Sequence, residues 1–234
     1  MVELAPLAEV EAPLLDRREI AAGTLELTFD LAARPMRFAS GQYLSLVLPE
    51  TSGLEGGDGM RDFSIASSPE RPDRISIAYR DSESAVKRRL RTMGAGTPVM
   101  LRGSLGAFGP PAGEASVALI AGGIGIAPFR SILSDPGHTG RTFGLFYWNR
   151  DRESAAYLDE LTGLTAATAR TNASYFGLFD PEPLAAWHRD HPDAYWLTAG
   201  PSEMVWRVLA GLSSLGVPQE RIRTEEFTGY DESA

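Results

Sequence analysis

The chain has 234 residues, 43% hydrophobic and 23% charged, which is the balance of a globular domain and excludes a disordered tail, a collagen and a coiled coil. A net charge of −9, from 22 basic and 31 acidic residues, makes it a poor match for nucleic acid. There is no cysteine, so thiolate metal sites, cysteine-held iron–sulfur clusters, disulfides and cysteine nucleophiles are all excluded, and redox chemistry would need a bound organic cofactor.

This length accommodates two domains of roughly 110 residues. Charge is divided unevenly between them. Residues 1–113 carry 13 basic and 15 acidic groups, net −2, and residues 114–234 carry 9 and 16, net −7. No apolar run reaches the roughly 18–20 residues of a membrane span. The first residues, Met1-Val2-Glu3-Leu4, lack the basic start of a secretory signal. The expectation is a cytoplasmic protein without a membrane span and without a nucleic-acid partner.

The first half reads as short strands. Leu25, Leu27 and Phe29 alternate with Glu26, Thr28 and Asp30, a half-buried strand of period two. Further strands are predicted over residues 43–48, 62–66, 75–79 and 99–101, separated by Gly, Pro and Ser. One helix interrupts them over 84–93, with Ser84 as N-cap and Gly94 as stop. This spacing predicts an antiparallel barrel or sandwich.

The second half alternates strand and helix. Strands are predicted over 116–121, 143–147, 164–169 and 195–198, and helices from the glycine turn to Leu133, over 154–161 and over 202–215. That order predicts a doubly wound parallel sheet. The boundary is expected in Pro110-Pro111-Ala112-Gly113, dividing the chain into domains 1–112 and 113–234.

Four local patterns carry chemistry. Ile120-Ala121-Gly122-Gly123-Ile124-Gly125-Ile126-Ala127-Pro128 runs a buried strand through clustered glycines into a helix. Such a turn lets backbone approach a phosphate at a helix N-terminus, although it also fits a turn required only for packing. Arg61-Asp62-Phe63-Ser64 places a cation, an aromatic ring and a hydroxyl at a strand's mouth, or is an ordinary strand end. Ser84, Ala85, Val86 and Lys87 open a helix followed by Arg88, Arg89 and Arg91, an anion site or a solvated basic face. Ala199-Gly200-Pro201-Ser202-Glu203-Met204 follows the last parallel strand and is either a ligand-facing turn or a plain connection. The three histidines, His138, His188 and His191, lack a well-spaced third ligand, so no metal site is expected.

In this order the patterns resemble the ferredoxin–NADP reductase superfamily of flavin oxidoreductases, from about Ala12 to Tyr230. The resemblance implies an antiparallel Greek-key β-barrel for flavin, followed by an α/β domain for pyridine nucleotide. It implies that Arg61 holds the flavin phosphate, that Phe63 takes the usual tyrosine position against the isoalloxazine ring, and that Ser64 bonds near flavin N5. Backbone at Ser84, Ala85 and Val86 would meet a pyrophosphate, with charge from Lys87, which favours FAD over FMN. Gly122, Gly123, Gly125 and Pro128 match the nucleotide turn, and Gly200, Pro201 and Met204 match the nicotinamide-side turn. Glu225, assigned with Ser64 to the catalytic set, and Phe227 match the family's ending, with Phe227 or Tyr230 covering the flavin. Relatives often carry cysteine before Gly-Pro-x-x-Met, where this chain has Ala199. Arg150, Arg152 and Arg170 are candidates for a 2′-phosphate, with a lean to NADPH over NADH. The implied activity is NAD(P)H-dependent reduction of FAD, with electrons passed to a separate acceptor such as a ferredoxin, a flavodoxin or an oxygenase component. The alternatives are a stand-alone flavin or ferric reductase and a non-catalytic redox sensor.

Overall fold

Alternating apolar residues in the first half produce strands whose inward positions are fully buried, as at Leu27, Phe29, Leu44, Leu46, Ile75 and Ile77. The computed structural model describes residues 8–48, 50, 52–54, 59–113, 115–166, 171–177 and 179–227. The strands are β1 (Ala8–Ala21), β2 (Thr24–Asp30), β3 (Tyr43–Val47), β4 (Met60–Ser64), β5 (Arg74–Arg80) and β6 (Pro98–Leu105), with helix α1 (Ala85–Thr92) between the last two. They form one antiparallel sheet in the order β4-β3-β6-β1-β2-β5. The two end strands meet at a single bridge, Ile65↔Ile77, which turns the sheet into a barrel with a narrow seam.

The strand β1 lies outside the sequence expectation. Its 14 residues pair with β6 through their first half and with β2 through their second. Val10, Ala12 and Leu14 do alternate inward, but Pro13 and the run Asp16-Arg17-Arg18-Glu19 hide the pattern.

The second half contains β7 (Val117–Gly122), α2 (Ile126–Leu133), β8 (Phe143–Asn149), α3 (Leu158–Ala166), β9 (Thr171–Phe176), α4 (Glu182–Asp190), β10 (Tyr195–Pro201), α5 (Ser202–Ser214) and β11 (Ile222–Phe227). Its sheet is parallel, in the order β11-β10-β7-β8-β9. The expected strand over 164–169 is corrected: residues 164–166 end α3, and the strand starts at Thr171. Leu161 and Leu164, three residues apart, share a face of a helix but not of a strand, and residues 167–170 lie outside the described residues. Helix α3 accordingly starts later than predicted, and α4 and β11 are additions.

Each sheet has its own apolar core, and the core under the parallel sheet also takes in Ala66, Ala78 and Phe108 of the first half. Polar groups tie the halves together. Tyr157 Oη donates to Glu26 Oε2 at 2.5 Å, and both residues are buried. The Arg130 guanidinium lies 4.6 Å from the centre of the Tyr157 ring, donates to the Ala66 carbonyl at 2.8 Å and sits 3.7 Å from Glu26. Arg18 donates to the other Glu26 oxygen at 2.8 Å. Burial pushes the Tyr157 phenol well up, so it remains a donor at neutral pH. Elsewhere on the interface Ser40 Oγ donates to Asp135 Oδ2 at 2.7 Å, and Arg223 donates to the carbonyls of Ala107 and Gly109. Removing the Tyr157 hydroxyl leaves Glu26 short of one buried donor. Tyr157→Phe is therefore expected to cost about 2 kcal/mol of stability, read as a lowered urea midpoint.

Candidate functional site

The seam of the barrel opens toward the second sheet. Beyond the Ile65↔Ile77 bridge, residues 62–64 of β4 and 78–80 of β5 line a cleft of about 550 Å³ instead of continuing the ladder. The opposite wall comes from Ile124, Ala127 and the end of β11, with Glu225 and Phe227. A volume of this size suits a multi-ring ligand.

Arg61, Phe63 and Ser64 all line this cleft. Phe63 is half-buried and packs on the barrel core, 6.2 Å from the Tyr79 ring. Arg61 is exposed at the rim, where its guanidinium donates to the Met60 carbonyl at 2.6 Å. Neighbouring Asp62 accepts from Ser45 Oγ at 2.6 Å, which fixes the strand mouth. Ser64 is buried, and its Oγ donates to Glu225 Oε1 at 2.7 Å, a bond between the two sheets. Glu225 Oε2 is buried and has no hydrogen-bond partner among the described residues. Burial raises the Glu225 carboxyl above its ordinary range, and the Ser64 hydroxyl opposes that shift. A carboxyl so held can exchange a proton with whatever occupies the cleft.

Helix α1 is capped as predicted: the Ser84 hydroxyl accepts the Lys87 N–H at 3.4 Å. Lys87 lines the cleft, whereas Ala85 and Val86 are buried in the helix base. The arginines that follow do not form a bare basic patch. Arg89 pairs with Glu50 at 2.7 Å, and Arg91 pairs with Asp81 at 2.8 Å and with Glu83 at 3.2 Å.

A second cleft, of about 370 Å³, lies over the carboxyl ends of β7, β8 and β10 and shares Arg80 and Ile124 with the first. Ligands of open α/β sheets bind at this edge. Gly122, Gly123, Pro201 and Met204 line it. The glycines do different work. A Cβ on Gly125 would overlap the Ala199 carbonyl oxygen, one on Gly122 would overlap Met204 Sδ, and one on Gly200 would come within 3.0 Å of Gly122 Cα. These three glycines let the two turns pack on each other. Gly123, with φ of +52° and open space around its missing side chain, is the one suited to close approach by a ligand. Pro128 is buried at the third position of α2, where no backbone donor is needed, and lines neither cleft. Ala199 is fully buried.

Phe227 is half-buried beside the first cleft. Tyr230 and Arg170 lie outside the described residues. Arg150 lines the second cleft and pairs with Asp151 at 3.2 Å, while Arg152 lies 3.7 Å from Asp159 and away from that cleft. The sequence reading missed Tyr43, Tyr79 and Asn149, which also face the clefts. Only Asn149 had a signal, as the neighbour of Arg150 at a strand's end.

An antiparallel barrel set against a parallel sheet, with a cleft at the seam and another at the sheet edge, defines the two-domain class of flavin- and nucleotide-dependent reductases. No family model matches the chain. It is 31% identical over 175 residues to ferredoxin–NADP reductase B of Sorangium cellulosum, a match covering 73% of this chain and 69% of that one. It is 26% identical over 211 residues to the ferredoxin reductase component of 3-ketosteroid-9-alpha-monooxygenase from Mycobacterium tuberculosis, covering 86% of this chain but 58% of that protein. The cytochrome P450 reductase of Amycolatopsis superposes with a TM-score of 0.80 at 23% identity, covering 96% of this chain and 71% of that one. The chain belongs to the ferredoxin–NADP reductase family, NAD(P)H-dependent oxidoreductases that move electrons through flavin.

Two outcomes test this geometry. Gly125→Ala drives a methyl into backbone and is expected to cost about 3 kcal/mol or more, whereas Gly123→Ala meets open space and costs about 1–2 kcal/mol for its left-handed φ, both read by chemical denaturation. For Glu225, a folded-state pKa above 4.5 means that the folded state binds the proton more tightly, so stability falls as pH rises through that interval. Glu225→Gln is therefore expected to melt at a higher temperature than the wild type at pH 7. The gap should close below the ordinary carboxylate range, as calorimetry across pH would read.

Proposed function

We propose that the chain is an FAD-dependent reductase that takes hydride from NADPH in preference to NADH and passes electrons to a separate acceptor, a small redox protein or an oxygenase component, in the cytoplasm. The domains are assigned as 1–112 for flavin and 113–234 for nucleotide. The observation that carries the reading is the inter-sheet cleft. Ser64 and Glu225 are bonded across it, Phe63 and Phe227 line it, and a buried Glu225 oxygen has no hydrogen-bond partner among the described residues. These groups fit a flat, heteroatom-rich ring system better than an aliphatic ligand.

When bound, flavin supplies a hydride acceptor that can release electrons singly. The chain's residues orient and protect it. Phe63 and Phe227 offer apolar surface for the ring. Ser64, whose hydroxyl proton goes to Glu225, would offer its Oγ lone pairs to a ring N–H, with Glu225 holding it in place. Arg61 and Lys87 supply positive charge at the rim for phosphate. Ser84, Ala85 and Val86 form the helix base that sets Lys87. In the second cleft Gly122, Gly123 and Ile124, the turn before α2, would face the nucleotide's pyrophosphate, and Pro201 and Met204 would guide the nicotinamide toward the first cleft. Rate enhancement then rests on holding donor carbon and acceptor nitrogen close, a task that Ala199 does not obstruct. The separate acceptor is supported by oxygenase-component and ferredoxin-reductase relatives. Among the described residues no helix is long and apolar enough to cross a membrane.

Purified protein is expected to be yellow, or to become so with FAD, and to bleach on anaerobic mixing with NADPH faster than with NADH. A protein that stays colourless with added FAD overturns the reading. Arg61→Ala is expected to lose roughly tenfold or more in flavin affinity, the worth of one charge-assisted phosphate bond, measured by fluorescence titration.

A further inference from the structure

Two hydrogen bonds fasten helix α2 to the seam of the barrel. The Arg130 guanidinium donates to the Ala66 carbonyl at 2.8 Å, and one helical turn further on the Ser134 carbonyl accepts from the Ser68 hydroxyl at 2.9 Å. Ala66 lies two residues beyond Ser64. Its own N–H donates to the Ser76 carbonyl at 2.8 Å, and the Ile65 N–H donates to the Gln42 carbonyl at 2.9 Å, so this stretch is fixed to the barrel. On the other side, α2 follows the glycine turn directly, and Ala127 in its first turn forms the wall of the first cleft that faces Ser64. Arg130 and Ala66 line neither cleft.

The guanidinium has little freedom to swing. The Arg130 side chain is 16% exposed, Glu160 accepts from it at 2.9 Å, the centre of the Tyr157 ring is 4.6 Å away and Glu26 stands at 3.7 Å. A planar fork held by several fixed partners loses less freedom per bond than a flexible cation would. The path it closes is short. Five residues of helix separate Gly125 from Arg130, one bond crosses to Ala66, and two residues lead back to Ser64. A helix moves as a unit, so a change in this bond displaces the glycine turn relative to Ser64.

We infer that Arg130 is a positioning residue for hydride transfer: its bond to Ala66 sets the separation between a nicotinamide on the glycine-turn side and a flavin ring beside Ser64. It touches neither ligand. This rests on the proposed function of the two clefts. A misplacement of about 1 Å can cost roughly a hundredfold in rate, whereas binding of the nucleotide depends on contacts within its own cleft. Arg130→Met keeps the length and packing of the stem and removes every donor. With the nucleotide that reduces the wild type faster, held at saturation, the variant is expected to reduce flavin about tenfold or more slowly. Its dissociation constants for flavin and for the oxidised nucleotide should change less than about twofold, because no contact to either ligand is lost. The charge-transfer absorbance of the photoreduced protein with oxidised nucleotide, which requires the two rings in contact, should weaken in the same variant.

A folded variant with the wild-type rate and charge-transfer band overturns the inference. So does a loss of rate matched by an equal loss of flavin or nucleotide affinity, which marks a binding role, or one that tracks the unfolded fraction on a parallel denaturation curve, which marks a merely structural one. Should Arg130→Met fail to fold, Arg130→Gln, which keeps a polar head but is too short to reach the Ala66 carbonyl, takes its place with the same expectations. Wild-type protein that binds no flavin, or is reduced by neither NADPH nor NADH, overturns the reading of the clefts and this inference with it. A reducible wild type beside an unaffected variant overturns only the role of Arg130.

Discussion

The hydroxyl of Tyr157 reaches the buried carboxylate of Glu26 at 2.5 Å and so couples two sheets that share no strand. The core under the parallel sheet takes in Ala66, Ala78 and Phe108 of the barrel, but apolar contact by itself is not directional and leaves the relative orientation of the sheets loosely set. That orientation comes from Glu26 with its donors Tyr157 and Arg18, and from Arg130 lying between Ala66 and Glu160. On other sides Arg223 and Ser40 play the same part with backbone carbonyls and Asp135. A hydride can move only between atoms held close in a fixed orientation. Polar bonds suit this task better than apolar contact, because their geometry is directional. The Ser64–Glu225 bond stands in the gap these contacts define, and it would have no counterpart if the sheets were a few ångströms further apart.

How much of this was legible in the sequence depended on range. Period-two alternation located β2, β3 and β5, whose inward positions are nearly all buried. The strand β1 was missed because charged residues and Pro13 interrupt its apolar beat, and the partner of its first half lies far off along the chain at β6. The segment 164–166 was misread because a short apolar stretch looks alike in either structure. Of the site, Ser64 and Glu225 were legible only through the order of motifs that the family shares. Their spacing of 161 residues carries no local signal. Tyr157 was illegible for the same reason: its partner comes from the opposite sheet.

The glycine turn illustrates a related point. Its residues attract attention as a ligand fingerprint, yet Gly122, Gly125 and Gly200 are demanded by the contact between two protein turns. The motif reports first that β7 and β10 end in close register, and only through Gly123 that a ligand can approach. Ala199 sits inside that contact, fully buried, where a larger side chain would have to displace its neighbours. The basic run after Ser84 is similarly absorbed, since its arginines are matched by Glu50, Asp81 and Glu83. An acidic partner would therefore find little uncompensated positive charge on that helix.

The incomplete seam of the barrel has a bearing on how the protein behaves before it is loaded. Strands β4 and β5 are joined by one bridge and then part, which leaves ladder positions along the cleft facing open space rather than another strand. Open strand edges are templates on which a second chain can add itself. A flat ring seated in the seam covers them. The proposed cofactor would thus also be a plug, and its retention would govern how long the unassembled edge is offered to neighbouring molecules in a concentrated solution.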